Sequence, residues 1–169
     1  EYQADIKPYL KKRRHREEAW MNYEMSVQSK NLYNAHSFWG FSVEIYTYTG
    51  GAHGMTTTSY TVVDLNSGKS LLLSDLFAES DYHLINRMLC QQLADDLGTS
   101  VDRLEEKFYQ PDNIVVDDNF MISDTGITWL FNPYDIAPYS NGTTRITLPY
   151  RAIVGYLVAN SPLKRIASK

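Results

Sequence analysis

The chain has 169 residues, 43% hydrophobic and 21% charged, with a formal net charge of −4. That size suits one domain, or one domain with a short extension, which buries roughly 70% of its unfolded surface without disulfide staples. The composition excludes wholesale disorder, and no apolar run approaches the roughly 18 residues of a membrane helix. The single cysteine excludes both an internal disulfide and a multi-cysteine zinc site.

Charge is unevenly placed. Residues 1–18 hold six basic and four acidic groups, a net of +2, which leaves −6 for residues 19–169. The acidic body is a poor match for nucleic acid and suits a basic partner. The opening residues, EYQADIKPYL, lack the apolar core of a secretory leader.

Residues 5–19 read as a helix that starts near Lys7, because Pro8 is tolerated only in a first turn. The run KKRRHR reads as a solvated helix face, with Glu17 and Glu18 four residues on from Arg13 and Arg14. The chain divides into residues 1–20, an N-terminal helix or the remnant of a preceding domain, and residues 21–169, an α+β domain. From Trp20 the hydrophobic period becomes two. Trp20–Ser29 and Ser37–Thr49 read as strands, the second with Trp39, Phe41, Val43 and Ile45 on one face and Ser42, Glu44, Tyr46 and Tyr48 on the other. Ser59–Leu65 is a third strand. Asn66-Ser67-Gly68 supplies the left-handed residue of a tight hairpin, and Ser70–Leu73 returns.

Ser74 reads as the N-cap of a single turn through Phe77. Residues 81–97 form the clearest helix: Leu84, Ile85, Met88, Leu89, Leu93 and Leu97 recur at helical spacing, and Gly98 stops it. Cys90, inside it, reads as a small core residue. Thr99 caps a second helix to about Phe108, which Gln110-Pro111-Asp112 breaks. Phe120–Ser123 and Gly126–Phe131 form a hairpin. Two prolines and a glycine then forbid regular structure over 132–142. Arg145–Leu148 is a strand, and a last helix covers about Tyr150–Val158, ended by Ser161-Pro162. This order predicts an α+β fold with an antiparallel β-sheet packed against helices.

Two segments carry candidate binding residues. Residues 48–54 put three glycines within five residues, which lets the backbone bend and approach another surface, but lack the Lys-Ser/Thr of a phosphate loop. Gly51 and His53 are the candidates here. His53 reads by default as a loop histidine, since no histidine has an i+4 partner or an HExxH frame. Loop 132–142 offers Tyr134, Asp135, Pro138 and Tyr139. A proline-stiffened loop loses little entropy on binding, and tyrosines are good contact residues. The alternative is a crossover with both rings in the core. If Tyr139 is a contact residue, Tyr139→Ala is expected to weaken partner binding and leave the melting temperature nearly unchanged, whereas a large stability loss would mark it as a core residue. Asp64, Asp75, Asp124 and Asp135 stand beside turns and read as caps in preference to a glycosidase pair. There is no Gly-x-Ser-x-Gly elbow, and the sequence asks for no catalytic residue, metal or cofactor.

Taken together and in order, YTGGAHG (48–54), VDLNSGKSLLLSDLF (63–77), NFMISDTGITWLFNPYDIAPYSNG (119–142) and ITLPY (146–150) resemble a domain-of-unknown-function family. That family forms the C-terminal extracytoplasmic, lysozyme-binding half of RsiV-type anti-sigma factors. It also occurs in secreted or lipid-anchored Bacteroidetes proteins and beside polysaccharide deacetylase domains. The resemblance implies an RsiV C-terminal-domain-like α+β fold in the bacterial cell envelope, in the periplasm or on the cell surface. Membrane attachment would come only through an anchor outside this sequence. It implies a non-catalytic binding role toward a protein, a basic lysozyme-like one, through Pro138 and Tyr139, with Tyr134, Asp135 and the loop Gly50–Gly54 beside them. Sigma release is not implied, because the sequence shows no membrane helix and no sigma-binding segment.

Two other functions compete. A glycan-binding accessory module of cell-wall processing needs exposed, coplanar rings among Trp39, Trp129, Tyr46, Tyr48, Tyr134 and Tyr139. A hydrolase needs His53 within hydrogen-bond reach of a carboxylate in a cleft.

Overall fold

Two antiparallel sheets frame the computed structural model, which describes Lys7 and residues 22–167. The expected basic helix lies outside the described residues, apart from Lys7, which is helical and exposed. The first sheet has the order β1-β2-β3-β4, from β1 (Glu24–Ala35), β2 (Phe38–Tyr48), β3 (Met55–Asp64) and β4 (Lys69–Ser70). The second has the order β5-β6-β7, from β5 (Phe120–Ile122), β6 (Gly126–Phe131) and β7 (Thr144–Pro149). Helix α1 (Tyr82–Asp96) packs on β7 and buries Ile85, Leu89, Cys90, Leu93 and Ala94. The molecule is thus an α+β fold of antiparallel sheets and helices, and Cys90 sits in its core as its apolar setting implied.

β1 runs past the expected stop at Ser29 to Ala35. The turn that follows is only two residues long, with His36 at φ 52° and Ser37 at φ 61°. Positive φ at both positions matches the twist of a tight hairpin. A His-Ser pair lacks the Asn-Gly signature of such turns, so the sequence did not mark it. The Asn66–Gly68 hairpin forms as expected, with Gly68 at φ 71°.

β2 alternates as expected, but the core receives Phe38, Gly40 and Ser42, while Trp39 is left 41% exposed. The reason is steric. The inner side of this sheet lies so close to β5 that a Cβ at Gly40 would meet the Met121 sulfur. No side chain fits at Gly40 itself, and the bulkier set of Trp39, Phe41, Val43 and Ile45 takes the opposite face.

Pairing with β4 satisfies only the Val63–Asp64 end of β3. Two asparagines complete its edge. Asn132 Oδ1 accepts from the Thr58 N–H at 2.7 Å, and its Nδ2 donates to the Thr58 carbonyl at 3.1 Å. Asn119 Oδ1 accepts from the Tyr60 N–H at 2.8 Å, and its Nδ2 donates to the carbonyls of Thr58 and Leu130. The side-chain amides act as a substitute strand, which removes an open edge and ties the two sheets together.

Trp129 is fully buried, flanked by Phe77 and Phe120 at ring distances of 6.4 and 6.3 Å, and donates its indole N–H to the Asp117 carbonyl. Burial of Cys90 pushes its thiol pKa up, which keeps it protonated and unreactive. The expected helix after Thr99 is a 3₁₀ segment, Val101–Glu106, with Ser100 at its N-cap. The expected Ser74 cap falls two residues earlier: Leu72 occupies the position, and its N–H donates to the Asp75 carboxylate at 2.9 Å.

The last helix is also shorter than its pattern. α2 (Tyr150–Ile153) gives way to a 3₁₀ turn, because Leu157 bridges Phe77 and the Val158 N–H donates to the Leu76 carbonyl. A further helix, α3 (Lys164–Ala167), follows Pro162. Its Arg165 donates to Asp64 at 2.8 Å and lies over the Phe38 ring at 4.1 Å. Burial alone would raise the Asp64 pKa. The Arg165 hydrogen bond, the Asn66 N–H and the Arg165 charge outweigh it and hold the carboxyl below the usual range.

Candidate docking site

The β2–β3 connection is bent by Gly50 (φ 89°) and Gly51 (φ 102°), and Tyr48 fastens it by donating its hydroxyl hydrogen bond to the Gly51 carbonyl at 3.0 Å. Gly54 is buried against the Tyr46 ring, with no room for a Cβ. This crowding turns Ala52 and His53 outward, where both are exposed.

Loop 132–142 is braced internally. The Asn132 N–H donates to the Asp135 carboxylate at 2.6 Å, and the Asp135 N–H returns to the Asn132 carbonyl at 3.1 Å. Asp135 is therefore a turn cap, as its place in the sequence suggested. The Tyr134 N–H donates to the Ala137 carbonyl, which holds Tyr134 at φ 75° and leaves it 47% exposed. Ile136 and Ala137 are buried beneath, and Asn141 anchors the far end on the Lys107 carbonyl at 2.9 Å.

The two loops meet through aromatic rings. His53 stacks on Tyr139 with centroids 4.2 Å apart and planes inclined by 22°. Tyr134 leans on Tyr139 at 5.7 Å and 35°. The Tyr139 hydroxyl donates to the Gly54 carbonyl at 3.1 Å, and His53 Nδ1 lies 2.9 Å from the same oxygen. Tyr139 is half-buried, so it is both a fastener between loops and part of their surface, while Pro138, Tyr134 and Asp135 are exposed beside it. The structure thus gathers His53, Tyr134, Asp135, Pro138 and Tyr139 at one end of the first sheet, with Gly51 at its margin.

Asp135 at this end is close enough to Asp117 for their charges to interact. Burial raises the Asp117 pKa, opposed by the Asn119 N–H it accepts, and the nearby charges of Asp135 and Asp118 raise it further. His53 makes its hydrogen bond to a backbone carbonyl, and among the described residues no ion pair joins it to a carboxylate. Among the described residues no group of His, Cys, Asp and Glu is placed to hold a metal ion, and no helix is long and apolar enough to cross a membrane.

Sequence reasoning missed Asn119 and Asn132, which seat the whole loop. Asn132 read only as the first residue of the irregular segment 132–142, and nothing local distinguishes a loop asparagine from one that reaches a strand 74 positions away.

Comparison with known proteins places these elements. Residues 74–151 match the model of a family described as protein of unknown function (DUF3298), and residues 1–56 match the model described as Deacetylase PdaC. His53 belongs to the second match and Tyr134 and Tyr139 to the first, so the ring cluster joins the two matched segments. A DUF3298 family member from Bacteroides fragilis has a similar structure, with a TM-score of 0.87 at 27% identity over 99% of this chain and 68% of its own. A DUF3298 family protein from Pseudomonas aeruginosa shares the fold, with a TM-score of 0.66 at 22% identity over 82% of this chain and 63% of its own. No curated protein matches.

Proposed function

We propose that this chain, which carries a DUF3298 segment beside a PdaC-like one, is a non-catalytic binding domain of the bacterial cell envelope that docks a basic, lysozyme-like protein. The observation that carries the reading is the three-ring cluster at the meeting of two braced loops. His53, Tyr139 and Tyr134 are held by contacts within the protein, so little freedom is left to lose on binding. Exposed aromatic side chains on a rigid support are the usual energetic centres of protein interfaces.

Charge supports the choice of partner. The chain carries −4 overall, and Asp135 beside the cluster is close enough to Asp117 for their charges to interact. A basic protein would be steered toward it, and salt would slow the encounter. The PdaC-like match supports a cell-wall setting. Nucleic acid is not expected as a partner of an acidic chain.

The same geometry argues against a sugar platform at this end. Stacking on a sugar needs a free flat face, and His53 already covers one face of Tyr139. Trp129 is buried, which removes it from that role. A hydrolytic role for His53 lacks its carboxylate partner among the described residues.

Calorimetric titration with a basic lysozyme at low and moderate salt tests the proposal. Binding that weakens as salt rises supports it. No heat of binding at either salt refutes the lysozyme-like partner.

A further inference from the structure

On the inner side of the first sheet, side chains of β1, β2 and β3 together with Arg145 of β7 line an open cavity of about 240 Å³ that shares no residue with the ring cluster. Its wall includes Lys30, Ser42, Glu44, Thr58, Tyr60 and Arg145. Ser42 is only 7% exposed and Thr58 only 6%. Among the described residues neither hydroxyl has a hydrogen-bond partner, although the Thr58 backbone is fully engaged with Asn119 and Asn132. Both hydroxyls open into the cavity and not into the core, so they offer two polar groups on one wall to a guest.

The charged groups point to its nature. Arg145 donates from Nε to the Tyr60 hydroxyl at 3.0 Å, which fixes the guanidinium, and among the described residues the N–H groups of its outer nitrogens make no further hydrogen bond. No ion pair joins Glu44 to Lys30 or Arg145 among the described residues. Two cations against one carboxylate give this cavity a positive balance in a chain that is acidic overall. A guanidinium with free N–H groups suits a carboxylate, and Glu44 with the two hydroxyls suits the hydroxyl groups of the same guest. The volume is below the ~300–1,000 Å³ of drug-sized sites, which limits the guest to about a monosaccharide.

We infer that this cavity binds a small carboxylate bearing several hydroxyl groups, an acidic sugar in size and chemistry. The site shares no residue with the docking loops, so it stands or falls separately from the proposed function.

An amide NMR titration with galacturonate, and with galactose as the neutral control, tests it. Expected are shifts centred on Ser42, Thr58 and Tyr60, with a dissociation constant on the order of 1 mM for galacturonate and at least roughly tenfold weaker binding of galactose. Arg145→Gln should weaken galacturonate about tenfold and Thr58→Val about threefold, both with unchanged melting temperature. Trigalacturonate run in parallel separates sources: tighter binding than the monomer assigns the site to a chain end, and equal or weaker binding assigns it to the free sugar. The inference is overturned if galacturonate leaves these amides unmoved at about 50 mM, if galactose binds equally well, or if both variants bind galacturonate as the wild type does.

Discussion

Tyr139 is the joint of the proposed site, and its removal can be worked out group by group. Tyr139→Phe deletes only the hydroxyl that donates to the Gly54 carbonyl. That costs about 1 kcal/mol, or a fall of about 2–4 °C in melting temperature for a chain of this length. Tyr139→Ala also deletes the stack on His53 and the tilted contact with Tyr134, each about 0.5–1.5 kcal/mol. The total is about 3 kcal/mol, or roughly 6–12 °C. This replaces the expectation that Tyr139→Ala would leave stability nearly unchanged, because the residue fastens two loops as well as facing solvent. Urea and thermal unfolding of Tyr139→Phe, Tyr139→Ala, His53→Ala and the Tyr139→Ala/His53→Ala pair close a double-mutant cycle. The expected coupling between the two rings is about 1 kcal/mol. A coupling below about 0.3 kcal/mol, together with an unchanged melting temperature for Tyr139→Phe, would refute the view that the rings hold the loops together.

Asn119→Ala removes three side-chain hydrogen bonds and leaves the Tyr60 N–H without its acceptor; a loss of about 2–4 kcal/mol is expected in urea unfolding. Gly126→Ala places a Cβ against the Leu148 carbonyl, a backbone atom of the paired strand that cannot turn aside, so it should cost at least about 2 kcal/mol and slow amide-exchange protection should be lost first in β6 and β7. Asp64→Asn tests the tie to Arg165. The Asp64 pKa is lowered in the folded state, so its contribution is present above the ordinary carboxylate pKa and fades as pH falls through the folded value. The variant should be about 2 kcal/mol less stable at neutral pH and match the wild type at strongly acidic pH in a series of unfolding curves.

What the sequence disclosed depended on the range of the interaction. Helix α1, the Gly68 turn and the β5–β6 hairpin follow from local periodicity and turn chemistry, and they stand where their patterns put them. The face of β2 was hidden because its burial is set by the approach of Met121 to Gly40, across 81 positions of chain. The last helix broke off early because Leu157 found a bridge partner in Phe77. The candidate site shows the same division. Two segments rich in Gly, Pro and Tyr announced themselves as loops. That they meet is decided by Asn119 and Asn132 on the edge of β3, whose amides carry no local mark of that duty.

The claim at the centre of this account is that the exposed rings above those loops are a docking surface for a basic protein. Its most direct test is a calorimetric comparison of wild-type chain and Tyr134→Ala against a basic lysozyme at low salt. Tyr134 is 47% exposed and lies at the solvent side of the cluster, so its removal should weaken binding by about tenfold or more, with a melting temperature no more than about 6 °C below the wild type. Equal affinity for the two proteins would contradict the account.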